Sequence, residues 1–206
     1  MSILAIKGWH RESFEEVTEL LKRSIALEPD LPLTHAYLAL ILGLGKRVGL
    51  ISDLESATDQ AVEHAERAMD FDDLDSNILG LAGCALADAG QTNRAIPVLQ
   101  QAMEINPNNA QAYAGLGAAL LEQGDWNRSI DLLEKGIELS PADGRLAVWY
   151  SALANAHLQN GNVAEAQNAA EAGCLADRKT YLPRLMLTAV HLANSDAAAS
   201  LAGLQE

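Results

Sequence analysis

Pro107 and Pro141 stand 34 residues apart, and each closes a similar stretch, Ala102-Met-Glu-Ile-Asn-Pro107 and Gly136-Ile-Glu-Leu-Ser-Pro141. The same register pairs Gly83 with Gly117, Leu86 with Leu120, Gly90 with Gly124, Arg94 with Arg128 and Leu99 with Leu133. A unit of this length holds two helices and a turn. One such hairpin cannot bury its apolar face alone, so neighbouring units must stack.

Within a unit, Gly83 and Gly117 allow two helices to approach closely. Gly90 and Gly124 fall where a left-handed residue ends the first helix, and the closing proline stops the second. Tyr113, Leu116, Gly117, Leu120, Ser129, Leu133, Gly136 and Pro141 together resemble the tetratricopeptide repeat. The resemblance implies an all-α, right-handed superhelical solenoid of antiparallel helix pairs. Five to six units and eleven or twelve helices are expected, with units at 1–30, 31–74 (carrying an expanded turn at 46–55), 75–108, 109–142, 143–179 and 180–206. Ser13 to Glu16 and Ser52 to Glu55 read as capping boxes. Thr92, Asp125, Asn162 and Ser195 read as N-caps, the last opening a short second helix in the final unit. Pro97 falls early in a second helix.

A narrower likeness lies in Leu139-Ser-Pro-Ala-Asp143-Gly-Arg145, Leu153-Ala-Asn-Ala-His157, Gly161 to Ala166 and Leu20 to Asp30. These segments resemble the helical regions of bacterial class III adenylate cyclases and winged-helix transcription regulators. That implies a regulatory or sensory module of a signalling or transcription protein, although neither a cyclase catalytic segment nor a winged helix is in the sequence. A stand-alone assembly or chaperone adaptor for an envelope or secretion complex stays open.

Charge narrows the partners. A net −14 with no Lys/Arg cluster opposes nucleic acid. Two cysteines ninety residues apart, Cys84 and Cys174, resemble no disulfide framework. The Ile3 to Ile6 run is too short for a signal-peptide core, and Leu31 to Gly45 is too short and too polar for a membrane span. A cytoplasmic protein is expected. No phosphate loop, nucleophile elbow or metal spacing is present, so no catalysis, cofactor or metal is expected. The run Asp70 to Asp75 fails as a calcium loop, because Ile78 and Cys84 fall where glycine and a bidentate glutamate belong; it reads as an acidic turn. His157 and His191 share a register and read as inter-repeat packing. Trp9, Trp126 and Trp149 read as packing and turn residues.

In the resembled architecture the first helices line a concave groove, which assigns protein-binding positions. They are Leu40, Leu44, Gly80, Cys84, Asp88, Gln111, Ala114, Ala118, Glu122, Val148, Ser151, Asn155, Gln159, Leu182, Leu185 and Ala189. Small residues stand where the family's carboxylate clamp needs cations, which disfavours that mode. A protein or peptide with a basic or apolar helix fits better. Val48, Leu50, Ile51 and Leu54 could instead fold over Leu40 and Leu44 and fill the groove. The weakly polar last unit suggests either self-association through Tyr181, Leu201 and Leu204, giving a homodimer, or further sequence downstream.

Overall fold

The computed structural model describes residues 11–203, with side chains through Ser195. Ten α-helices and no strand occur among the described residues. They are α1 (Arg11–Leu27), α2 (Pro32–Arg47), α3 (Leu54–Phe71), α4 (Ser76–Asp88), α5 (Thr92–Ile105), α6 (Ala110–Glu122), α7 (Trp126–Leu139), α8 (Leu146–Gln159), α9 (Val163–Ala176) and α10 (Leu182–Gly203). Four hairpins, α2–α3, α4–α5, α6–α7 and α8–α9, stack in order, with α1 before them and α10 after.

The two helices of a hairpin are built differently. Odd helices bury one narrow stripe, as in α3, where Ala57, Ala61, Ala65 and Ala68 recur at helical spacing. Even helices are sandwiched between units; α4 buries every residue from Ile78 to Ala87. Small residues set the spacing. A Cβ on Gly117 would stand 2.8 Å from Leu133 Cγ and 3.0 Å from the Ser129 carbonyl oxygen. The Ser129 hydroxyl donates to the Gly117 carbonyl at 2.7 Å, fixing the same crossing with a buried bond. Between units, the Asn109 amide donates to the Ser76 carbonyl at 2.7 Å and hydroxyl at 2.8 Å, while its oxygen accepts from the Ala112 amide.

Gly90, Gly124 and Gly161 have φ of 84°, 81° and 80°. Each is followed by an amide that reaches back five residues: Gln91 to Leu86, Asp125 to Leu120 and Asn162 to His157. That is the left-handed helix stop expected from the repeat.

Several boundaries differ from the sequence reading. The turn expected at 46–55 is shorter, because Lys46 and Arg47 finish α2 and Leu54 opens α3. Gly49 (φ 68°) ends α2 with the same stop, the Leu50 amide bonding the Gly45 carbonyl. Asp53, not Ser52, caps α3, accepting from the Ser56 amide. Ser13 lies inside α1. Gln91 holds the N-cap position of α5, and Asp125 and Asn162 hold those of α7 and α9 without a side-chain cap bond; Asp125 pairs with Arg128 at 3.2 Å. The final unit was expected to hold two helices but is one helix, with the Ser195 hydroxyl donating to the His191 carbonyl inside it. No glycine interrupts Leu182 to Ala202, so nothing supplies the left-handed stop that divides the other units.

Candidate binding groove

The even helices face one another across the concave side, whose two halves differ. Toward the N-terminus it fills itself. Leu40, Leu44, Cys84 and Val148 are all buried, and the chamber among them measures about 40 Å³. Val48 joins Phe14, Val17, Ile41, Leu44 and Val148 in one apolar cluster, with Leu50, Ile51 and Leu182 packed against it. The turn after α2 therefore reaches across the superhelix to α8 and α10. Leu54, also expected to contribute, is 49 % exposed and starts α3.

Toward the C-terminus the groove stays open. It encloses about 600 Å³ between α6, α8 and α10 and is lined by Ala118, Glu122, Val148, Ser151, Asn155, Gln159, Leu182 and Leu185, all expected from sequence. Leu185 is 53 % exposed. Two expected positions lie elsewhere. Gly80 is buried under Asn109, whose Nδ2 would meet a Cβ there at 2.9 Å. Ala114 is buried against Gly136 of its own hairpin and belongs to the inter-unit core. Each lies on the flank of its helix that carries the packing between helices. The inner chamber takes in Leu40, Leu44, Cys84, Asp88 and Gln111.

Arg47, Ala152, Trp126 and Met186 line the open groove and were not foreseen. Arg47, the last residue of α2, lies between the two halves. Its guanidinium pairs with Asp88 at 2.7 Å and with Glu122 at 3.5 Å, and Glu122 also accepts from the Thr92 hydroxyl at 2.8 Å. The Glu122 carboxylate on this wall is therefore partly neutralised from within the chain. Trp126, expected with Trp9 and Trp149 to be a packing or turn residue, is the first residue of α7, 36 % exposed and lining the groove. Trp149 packs in the core under the Arg145 guanidinium, 5.2 Å from its ring centroid.

Burial, then the Asp88 carboxylate, pushes the Cys84 thiol up to about 12, and the Gln111 amide donates to its sulfur at 2.7 Å. A thiol in that state is no nucleophile. The Ser151 hydroxyl donates to the Ala147 carbonyl of its own helix at 2.6 Å and touches no base. Among the described residues no group of three or more His, Cys, Asp or Glu could hold a metal ion. His157 is buried as expected, whereas His191 is exposed on α10 rather than packed between units, because no further unit covers that side among the described residues. In the acidic turn, Asp72 accepts from the Leu74 and Asp75 amides and Asp75 caps α4. No helix among the described residues is long and apolar enough to cross a membrane. Tyr181 is 47 % exposed. Trp9, Leu204 and the side chain of Leu201 lie outside what is described.

Residues 86–148 and 120–189 match the family described as Tetratricopeptide repeat, and together these spans cover half of the chain. No curated protein matches it. Among solved structures, a thermophilic TPR protein of Thermus thermophilus, TTC0263, is 18 % identical over 92 % of this chain and 96 % of its own, with a TM-score of 0.66. A human IFIT1 dimer with m7Gppp-AAAA is 11 % identical over 98 % of this chain and 47 % of its own, at 0.76. YrrB, described as a TPR protein with an unusual peptide-binding site, is 15 % identical over 84 % and 82 %, at 0.51.

Proposed function

The chain belongs to the tetratricopeptide repeat family, and from that premise we propose that it is a non-catalytic scaffold whose open half-groove binds a helix or extended peptide of another protein. The observation that carries this reading is the split concave face. One half is filled by the chain's own Leu40, Leu44, Val148 and Arg47, while the other keeps Leu185 exposed beside Trp126, Leu182 and Met186. An apolar side chain placed there would bury surface worth about 1.5–3 kcal/mol, and the exposed Gln159 amide beside Asn155 can meet a peptide backbone.

A peptide-binding site in YrrB, which shares this fold, supports the ligand class. The capped RNA of the IFIT1 structure does not transfer, since Arg47 here already faces two carboxylates and a phosphate would have to face them as well. A basic or apolar segment suits the Glu122 rim. The likeness of Leu139 to Ala166 to helical regions of signalling and transcription proteins favours a regulatory module, working in the cytoplasm. The competing reading is a free-standing assembly adaptor for an envelope or secretion complex.

Affinity capture from native lysate tests the groove. Ala118→Arg or Leu185→Arg should lower recovery of the partner at least about tenfold, equivalent to ~1.4 kcal/mol, while Leu175→Arg on the outer face should not. A partner retained in full by both groove variants removes the groove from consideration. The identity of what is captured, signalling enzyme or envelope component, separates the two readings.

A further inference from the structure

We propose a second docking surface, on the outer face between α5 and α7, for a protein segment that carries an arginine flanked by apolar side chains. It is separate from the concave groove and does not depend on it.

The repeat register shows why this gap is open. One unit earlier, Arg94 of α5 reaches back to Glu66 of α3 at 2.6 Å, and the Gln101 amide donates to the Asp73 carbonyl at 3.1 Å. Those contacts tie one outer helix to the unit before it. Thirty-four residues on, Arg94 becomes Arg128 and Gln101 becomes Lys135, but Glu66 becomes Gln100. An amide offers Arg128 no charge, and Arg128 turns to Asp125 of its own unit at 3.2 Å. Lys135 likewise turns to Glu138 of its own helix at 2.9 Å. Neither bridge is made from α7 to α5, and a cavity of about 530 Å³ lies between them.

The lining fixes what this cavity takes. Met103, Leu116 and Leu132 give it an apolar base, Met103 and Leu132 being half-buried against the core. Glu104 of α5 and Asp131 of α7 stand on opposite walls, and both are exposed. Arg128 is the cation on this lining and is engaged by Asp125, which leaves the two carboxylates to a cation from outside.

An arginine answers both features. Its methylene stem covers apolar surface while the guanidinium stays at the wet rim, and the planar fork can bond carboxylates on two sides. Arg94 shows that a guanidinium fits between successive outer helices. Exposed ion pairs alone hold little, so apolar neighbours of the arginine must bury against Met103 and Leu132 as well.

The test is an NMR titration of the full-length, nitrogen-15-labelled chain with N-acetyl-Leu-Arg-Leu-amide. Salt at about 150 mM screens long-range attraction to the acidic chain. The amides of Met103, Glu104, Asp131 and Leu132 should shift together, and citrulline in place of the peptide's arginine should abolish the effect. Glu104→Gln combined with Asp131→Asn should weaken binding at least about tenfold. Gln100→Glu is the sharper variant. It restores the carboxylate that Arg94 finds in Glu66, draws Arg128 across the gap, and should weaken binding about tenfold although it makes this face more acidic. Unchanged or tighter binding by Gln100→Glu overturns the inference, since diffuse attraction to negative charge would then explain it. No shifts, shifts spread equally over the acidic turn at 70–75, or binding lost in Ala118→Arg also overturn it, the last by moving the peptide to the concave groove. Peptide binding here, together with full partner capture by Ala118→Arg and Leu185→Arg, would leave this surface standing and sink the concave one.

Discussion

His35 is the largest fully buried polar side chain among the described residues, and nothing in the repeat pattern pointed to it. Its Nε2 donates to the Pro29 carbonyl at 2.8 Å, which leaves Nδ1 of the neutral ring as an acceptor. His64 must then donate from its own Nδ1, 2.9 Å away. Burial, and next the neighbouring His35, lower the His64 pKa, with Arg67 and Lys22 acting the same way and Glu63 opposing them. A histidine whose folded pKa lies below its unfolded value of about 6.5 binds fewer protons in the native state. Stability is therefore full above about 6.5 and falls as pH drops from there through the folded value. Thermal unfolding between pH 7.5 and 5.5 should show a falling Tm, and His64→Gln should flatten that slope. Gly117 makes the opposite case, a residue whose role was legible. Gly117→Ala gains helix propensity of about 1 kcal/mol, but its methyl meets Leu133 Cγ at 2.8 Å and backbone oxygen at 3.0 Å. Overpacking wins because a backbone atom cannot swing aside, and urea unfolding should show a net loss of about 1–3 kcal/mol.

Among the elements, the repeat made the hairpins from α4 to α9 readable because glycines and small residues recur in fixed phase, with Pro107 and Pro141 closing two of the three. The same rule located their stops, and its neglect explains the misplaced turn. Gly49 carries the same signature as Gly90, but it follows Lys46 and Arg47, whose charge reads as loop while both still belong to α2. The last unit misled for the converse reason. Ser195 and Asp196 look like a cap, yet without a left-handed glycine before them the helix runs on through Gly203. What no local pattern could show is that residues 48–51 cross to the far end of the solenoid. Val48→Ala should cost about 1–2 kcal/mol through lost burial. Because Val148 and Leu182 share the cluster, hydrogen exchange should quicken in the first turns of α8 and α10, far away in sequence. Loss of protection confined to α2 and the following turn would show that the crossing contact carries no weight.

At the scale of the whole molecule, the open half of the groove was legible and the closed half only in part, and electrostatics accounts for the difference. Positions 118, 122, 151, 155, 159, 182 and 185 follow from repeat register alone, since they recur at three- or four-residue steps along inner helices. The sealed half depends on Arg47 reaching Asp88 and Glu122 from another unit, a tertiary contact with no trace in spacing. Asp88 is almost buried, and burial raises its pKa, with Arg47 opposing that rise and Glu122 adding to it. A carboxyl whose folded pKa exceeds its unfolded one favours the neutral form. Its effect on stability is absent well below both values and grows unfavourable as pH rises from the unfolded value to the folded one. Removing Arg47 widens that window. Arg47→Ala should therefore be close to wild type in stability near pH 3 and fall behind by about 1–3 kcal/mol at pH 7. Asp88→Asn in the same chain should restore most of the deficit, because the amide leaves no charge to strand. An Arg47→Ala deficit that is the same at both pH values would mean that the side chain acts by packing alone, and the groove would then be divided by shape rather than by charge.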